Sequence, residues 1–164
     1  MAESLKECAE YGKLRGVLVG VQNHGDFLST ADQCIDMVKR VNTKGFGIIN
    51  DTGYFMTEDP YVDIEKVMPY TVNFQLKLSV FGAKSKVKID LKRIMEIIKR
   101  SNYTGYIPIE TLSPVVGNKK AKGTDKKVPK STDTSTPRPE YDPYTIVPEF
   151  LKQTKQVQKE VFGL

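Results

Sequence analysis

Short apolar segments rich in β-branched residues alternate with amphipathic helical segments along this chain. The apolar segments are "GVLVGV" at 16–21, "FGIIN" at 46–50, "TVNFQLKLSV" at 71–80 and "GYIPIETL" at 105–112. Runs of this kind are typical of strands buried on both faces, and strands separated by helices form parallel sheets. The pattern predicts an α/β fold with a parallel sheet, (βα)4, preceded by one helix at residues 3–13.

Capping residues predict where the helices begin. Ser29 or Thr30, followed by Asp32 or Gln33, predicts a capping box before a helix at 31–41. Lys44-Gly45 is expected to end that helix. The caps predicted for the later helices are Asp59 before Pro60, Asp90 before the apolar face of Leu91, Ile94, Met95 and Ile98, and Asp142 before Pro143.

The 164 residues predict one domain, 1–164, with a flexible insertion at about 113–140 that is rich in Lys, Ser, Thr, Pro and Gly. Six lysines and Asp125, between residues 119 and 130, account for the whole net charge of +5. No aromatic residue is interleaved with these lysines, which is more typical of a solvated loop than of a surface that binds nucleic acid. A nucleic-acid partner is therefore not expected, and trypsin should cut this insertion first.

The two cysteines, Cys8 and Cys34, both fall on apolar positions of predicted helices. This placement favours reduced thiols in the core over a disulfide or a zinc site, and a reducing cytoplasm fits it. No stretch approaches 18 consecutive apolar residues, so no membrane segment is expected.

Polar side chains stand where each predicted strand ends. They are Gln22-Asn23-His24, then Asp51, then Gln75 with Lys77, and finally Glu110. Because the carboxyl ends of parallel strands lie at one face of such a fold, Gln22, His24, Asp51, Gln75, Lys77 and Glu110 are expected to form one mouth.

Plainer interpretations of the same residues remain open. Gln22 and Gln75 are either ligand-binding groups or ordinary buried amides that hydrogen-bond each other. His24, the single histidine, is either structural or functional. Lys77 is either a surface lysine, a partner of Glu110, or a group that binds a sugar oxygen or a phosphate.

The same positions resemble a family pattern. Gln22-Asn23-His24 stands where Glu-Asn-His is typical, Asp51-Thr52-Gly53 matches an Asp-containing turn, and Gln75-Leu76-Lys77 replaces His-x-Lys. The run "NYTGYIPIETL" matches a Gly-Tyr segment that ends in glutamate. These motifs resemble the second half of the xylose isomerase-like TIM barrels, which include sugar-phosphate isomerases and epimerases and, more distantly, endonuclease IV.

The resemblance implies a divalent metal, Mn²⁺ or Mg²⁺, held by Asp51 and Glu110, with Glu110 also catalytic and with Gln22, His24, Gln75 and Lys77 binding the substrate. Two of the four expected ligands are glutamine here, so a weak or absent metal site is expected. A single histidine also cannot supply the zinc cluster of an endonuclease IV.

The resemblance therefore leaves two functions open. One is a sugar or sugar-phosphate isomerase or epimerase with a degenerate metal site. The other is a non-catalytic half-barrel that binds sugar or serves assembly, or a truncated fragment of a larger isomerase. Four strands are half of a barrel, so a homodimer is expected, the alternative being that the partner is an absent N-terminal half.

Overall fold

The computed structural model describes residues 1–25, 27–77, 89–111 and 142–164. Four parallel strands form one sheet in chain order, β1 to β4, and helices follow or precede each strand. The strands are β1 Val19–Gln22, β2 Phe46–Asp51, β3 Thr71–Lys77 and β4 Ile109–Glu110. The helices are α1 Ala2–Lys13, α2 Ala31–Val41, α3 Pro60–Val67, α4 Leu91–Arg100 and α5 Pro143–Phe162, with a 3-10 turn at Met68–Tyr70. The predicted α/β architecture is confirmed.

The helices bury one face of the sheet, which we call the covered face. Ile48, Phe74 and Leu76 on this face have no exposed surface. They belong to the main core together with Ile94 of α4 and Phe150 of α5. The apolar face predicted for α4 is confirmed, since its isoleucines and Met95 are buried there.

The caps largely follow the sequence. Thr30 and Gln33 form the predicted capping box, and Asp59, Asp90 and Asp142 each accept a backbone N–H at a helix start. The prediction that Lys44-Gly45 ends α2 was wrong. The helix stops at Val41 because Asn42 adopts a left-handed conformation, with φ of 48°, and donates its N–H to Val38 O.

Two strands are shorter than predicted. The N–H of Val17 donates to Gly12 O at 3.0 Å just after the turn that follows α1, and β1 starts only at Val19. At the other edge Pro108 has no N–H to offer, and β4 is reduced to Ile109–Glu110. Residues 78–80 of the third predicted strand and the predicted insertion at 113–140 lie outside the described residues.

The prediction that both cysteines lie in the core is correct for Cys34 and wrong for Cys8. Cys34 is buried in the core, but Cys8 is exposed. On α1 the buried residues are Ala9 and Gly12, whereas Cys8 lies on the exposed side of the helix. No helix in the described ranges is both long and apolar enough to cross a bilayer.

Candidate functional site

Strand register brings the predicted site residues onto one face of the sheet. Asp51 pairs with Gln75, Lys77 pairs with Glu110, and Gln22 pairs with Ile49. Paired residues of parallel strands point to the same side, and alternate residues point to opposite sides. These side chains therefore share the face that the helices leave uncovered, which we call the open face.

Lys77 lies between two carboxylates at the carboxyl end of this face. Its Nζ is 3.4 Å from Asp51 Oδ2 and also contacts Glu110 Oε1. The Lys77 side chain is 5% exposed, that of Asp51 is fully buried, and that of Glu110 is 32% exposed. We call Asp51, Lys77 and Glu110 the ion triad. Of its three members, only Glu110 offers appreciable surface to a ligand.

Asp51 is surrounded by hydrogen-bond donors. Gln22 Nε2 donates to Oδ2 at 2.5 Å, and the backbone N–H of Gly53 donates to Oδ1 at 2.8 Å. Burial raises the pKa of Asp51, while the bond from Gly53, the charge of Lys77 and the bond from Gln22 oppose that rise. Both carboxylate oxygens are thus already occupied by protein donors.

The Lys77 ammonium is stabilised as a cation despite its burial. Burial lowers the pKa of Lys77, but the hydrogen bond to Glu110 and the charge of Asp51 outweigh it, so the pKa lies above its ordinary value. Lys77 is therefore a charged group at neutral pH and not a free amine able to act as a base or nucleophile.

Asn23 and Thr52 fix the backbone around the ion triad. Asn23 Nδ2 donates to Asp51 O at 2.9 Å, and Asn23 Oδ1 accepts from the Asp51 N–H at 2.8 Å. The N–H of Lys77 donates to Thr52 Oγ1 at 2.9 Å. These bonds join the ends of β1, β2 and β3. The site prediction named neither residue, although both lie in the motifs that carried the resemblance.

Tyr54 adds an aromatic surface beside the ion triad. Its ring centroid is 4.1 Å from that of His24, and Lys77 Nζ lies 5.1 Å from the Tyr54 centroid. His24 is exposed, and Tyr54 is half-buried. Sequence reasoning missed Tyr54; the available signal was an aromatic residue three positions after the end of β2.

The two glutamines contact each other on the open face. Gln22 Nε2 donates to Gln75 Oε1 at 3.1 Å as well as to Asp51. The interpretation of Gln22 and Gln75 as buried amides that hydrogen-bond each other therefore agrees with the contact between them. Both remain half-buried, so a ligand-binding role for them stays a prediction.

The residues of this face do not fit a divalent metal. Asp51 faces the N–H groups of Gln22 and Gly53 and the ammonium of Lys77, all of which are donors, whereas a metal requires lone pairs. Among the residues that the structure describes, no three His, Cys, Asp or Glu side chains form a group able to hold a metal ion.

Comparisons with known proteins agree with this architecture. The family described as Xylose isomerase-like TIM barrel matches residues 1–130. None of the curated proteins compared with the chain matches it.

Solved structures match the fold at low sequence identity. A xylose isomerase domain protein from Planctomyces limnophilus superposes with a TM-score of 0.69 at 12% identity, over 99% of this chain and 52% of that one. D-Psicose 3-epimerase from Clostridium cellulolyticum H10, solved with D-tagatose, gives 0.59 at 20% identity, over 71% and 43%. A xylose isomerase-like TIM barrel protein from Mycobacterium smegmatis, in complex with magnesium, gives 0.55 at 20% identity, over 66% and 42%. This chain spans about half the length of such structures.

Proposed function

Because the chain belongs to the xylose isomerase-like TIM barrel family, we propose that it binds a sugar at its open face and does not interconvert sugars by two-base proton transfer. One observation carries the proposal: Lys77 Nζ contacts both Asp51 and Glu110. Two-base chemistry needs two carboxylates that can exchange protons with the ligand. Asp51 is buried under donors and Gln22 is an amide, which leaves Glu110 as the accessible carboxylate of the ion triad.

The groups beside the ion triad suit a carbohydrate. The rings of Tyr54 and His24 offer a stacking surface for the apolar face of a sugar ring. Glu110 provides an acceptor, and the half-buried amide of Gln75 provides both a donor and an acceptor for hydroxyl groups. Similarity to structures of D-psicose 3-epimerase with D-tagatose and with D-fructose supports this class of ligand.

A neutral sugar fits this site better than a sugar phosphate. Lys77, the cation that the described residues place there, is already shared by two carboxylates. A phosphate approaching the ion triad would meet a net negative charge instead of an available ammonium. We therefore propose neutral ketoses and aldoses as the ligand class.

Isothermal titration with a panel of ketoses, aldoses and their phosphates tests this proposal. Neutral sugars should bind, and both Tyr54→Leu and Glu110→Gln should weaken binding. Tyr11→Leu and Glu65→Gln are matched controls, because both residues lie on helices away from the site, and they should bind as the wild type does. Absence of binding across the panel would contradict the proposal.

A turnover assay separates binding from catalysis. Conversion of any ketose in the presence of Mn²⁺ or Mg²⁺, lost in Glu110→Gln, would instead establish the isomerase alternative. The expected result is no turnover.

We also propose that a second copy of the chain packs against the open face and leaves the ion triad, at the carboxyl ends of the strands, accessible to the sugar. β1 and β4 are edge strands of the sheet, and half-buried side chains such as Ile49 line the face between them. Two such sheets can form eight strands, the number in a complete barrel. Light scattering should give a dimer at micromolar concentration, and a compact, cooperatively folding monomer would contradict it.

A further inference from the structure

The ion triad holds a cation at the point where the carboxylates of β2 and β4 converge on either side of β3. Asp51 ends β2, Glu110 ends β4, and Lys77 ends β3 between them. Without a positive charge these two carboxylates would repel each other in a partly desolvated site. We propose that the Lys77 ammonium is the permanent cation of this site and excludes a divalent metal from it. This inference does not depend on sugar binding.

The side chain of Lys77 is held in place along its length. It is 5% exposed, and its backbone N–H is bonded to Thr52 Oγ1. Gly53 packs so closely that an added Cβ would lie 2.7 Å from Lys77 Cγ. A metal could reach Asp51 and Glu110 together only if the ammonium swung away, and this packing opposes that movement.

The hydrogen bonds around Asp51 oppose a metal in the same way. Gln22 Nε2 bridges Asp51 Oδ2 and Gln75 Oε1. For Gln22 to present its carbonyl oxygen to a metal, both of these bonds must break. Lys77 excludes the metal, and Gln22 only strengthens this exclusion by bonding to Asp51 Oδ2.

Mn²⁺ titration monitored by EPR and by thermal unfolding tests the inference on the intact chain. Wild type should leave the signal of free Mn²⁺ unchanged at stoichiometric levels, and neither Mn²⁺ nor EDTA should move its Tm. Lys77→Met keeps the stem but removes the charge. The Lys77→Met variant should have a lower Tm than the wild type, and Mn²⁺ should restore part of that loss. The affinity of this variant for Mn²⁺ should be about tenfold or more above that of the wild type.

The matched control is Lys66→Met, which removes an ammonium from an exposed pair with Asp32. Lys66→Met should not respond to Mn²⁺. The inference is overturned if wild type binds one Mn²⁺ and Glu110→Gln abolishes that binding. It is equally overturned if Lys77→Met keeps the wild-type Tm without metal, or if Lys77→Met folds and does not bind Mn²⁺.

A double variant covers the case in which Lys77→Met fails to fold. Lys77→Met combined with Glu110→Gln removes one positive and one negative charge, so it should be more stable than Lys77→Met alone. If the double variant is no more stable, Lys77 acts through the packing of its stem, and the assignment of its charge as the resident cation is wrong.

Discussion

Adjacent residues of the same strands have opposite environments on the two faces of the sheet. Ile48 is completely buried on the covered face, whereas Ile49, the next residue, is half-buried on the open face. Phe74 and Gln75 differ in the same way on β3. The covered face is largely apolar, with Asn50 as a buried polar exception, and it packs against the helices, while the open face ends in the ion triad. Stability of the single chain is therefore concentrated on one face, and the groups suited to binding on the other.

The largest expected effect comes from removing a buried side chain from the covered face. Phe74→Ala removes a fully buried ring and should lower the free energy of unfolding by about 3–5 kcal/mol at any protein concentration. Ile49→Ala is the matched change on the open face. If a second copy covers that face, its cost should depend on protein concentration, because it weakens association.

Urea unfolding at several protein concentrations measures both variants. If Phe74→Ala and Ile49→Ala lower the free energy of unfolding equally at every protein concentration, the two faces are equally packed within one chain. That result would contradict the difference between the covered and open faces.

The next effect is a pH dependence that originates on the covered face. Burial raises the pKa of the Cys34 thiol from 9.0 to about 12. Between these values the unfolded chain loses a proton that the folded chain keeps. The contribution of Cys34 is thus fully present below pH 9 and falls by about 1.4 kcal/mol per pH unit above it.

Comparing Cys34→Ala with Cys8→Ala isolates this contribution. Cys8→Ala should keep the wild-type slope of stability against pH between 9 and about 10.5, because Cys8 is exposed. Cys34→Ala should have a shallower slope. Identical slopes in both variants would show that the thiol of Cys34 is open to solvent.

The covered face was the more predictable of the two. Apolar runs, helical periodicity and the capping residues are local signals, and within the described ranges they located the four strands and five α-helices to within a few residues. The errors arose where the turn after α1, or the side of α1 that faces the core, decided the outcome. Val17 is apolar but bonds back to Gly12, and Cys8 lies on an apolar helix position that α1 turns outward.

The open face was predictable in its residues but not in their contacts. The rule that parallel strands share a carboxyl face was enough to bring Asp51, Lys77 and Glu110 together. Nothing in the sequence specifies that the ammonium contacts both carboxylates, since that depends on the packing of Gly53 against the lysine stem. Tyr54 was missed because the conformation of a loop places it against His24.

A smaller effect is expected at the start of α2, a helix that packs on the covered face. Thr30→Ala removes the capping box of a helix that covers the sheet and should cost about 1 kcal/mol of stability. Sugar affinity should not change, because Thr30 contacts no member of the ion triad. Chemical denaturation and titration of the same sample measure the two properties. A parallel loss of affinity would indicate that the open face depends on the helices behind it.

The smallest effect is expected for an exposed ion pair on the helices of the covered side. Arg100 Nε lies 2.9 Å from Glu65 Oε1, with side chains 55% and 47% exposed. Both Arg100→Gln and Lys77→Met remove a positive charge that contacts a carboxylate, but only Lys77 is shielded from water. Solvent screens the Arg100 pair and its ordering costs side-chain entropy, so Arg100→Gln should change the Tm barely measurably. Lys77→Met leaves a buried Asp51 without its cation, which is far more costly. If Arg100→Gln and Lys77→Met lower the Tm equally, burial is not the reason why the ion triad stabilises the protein.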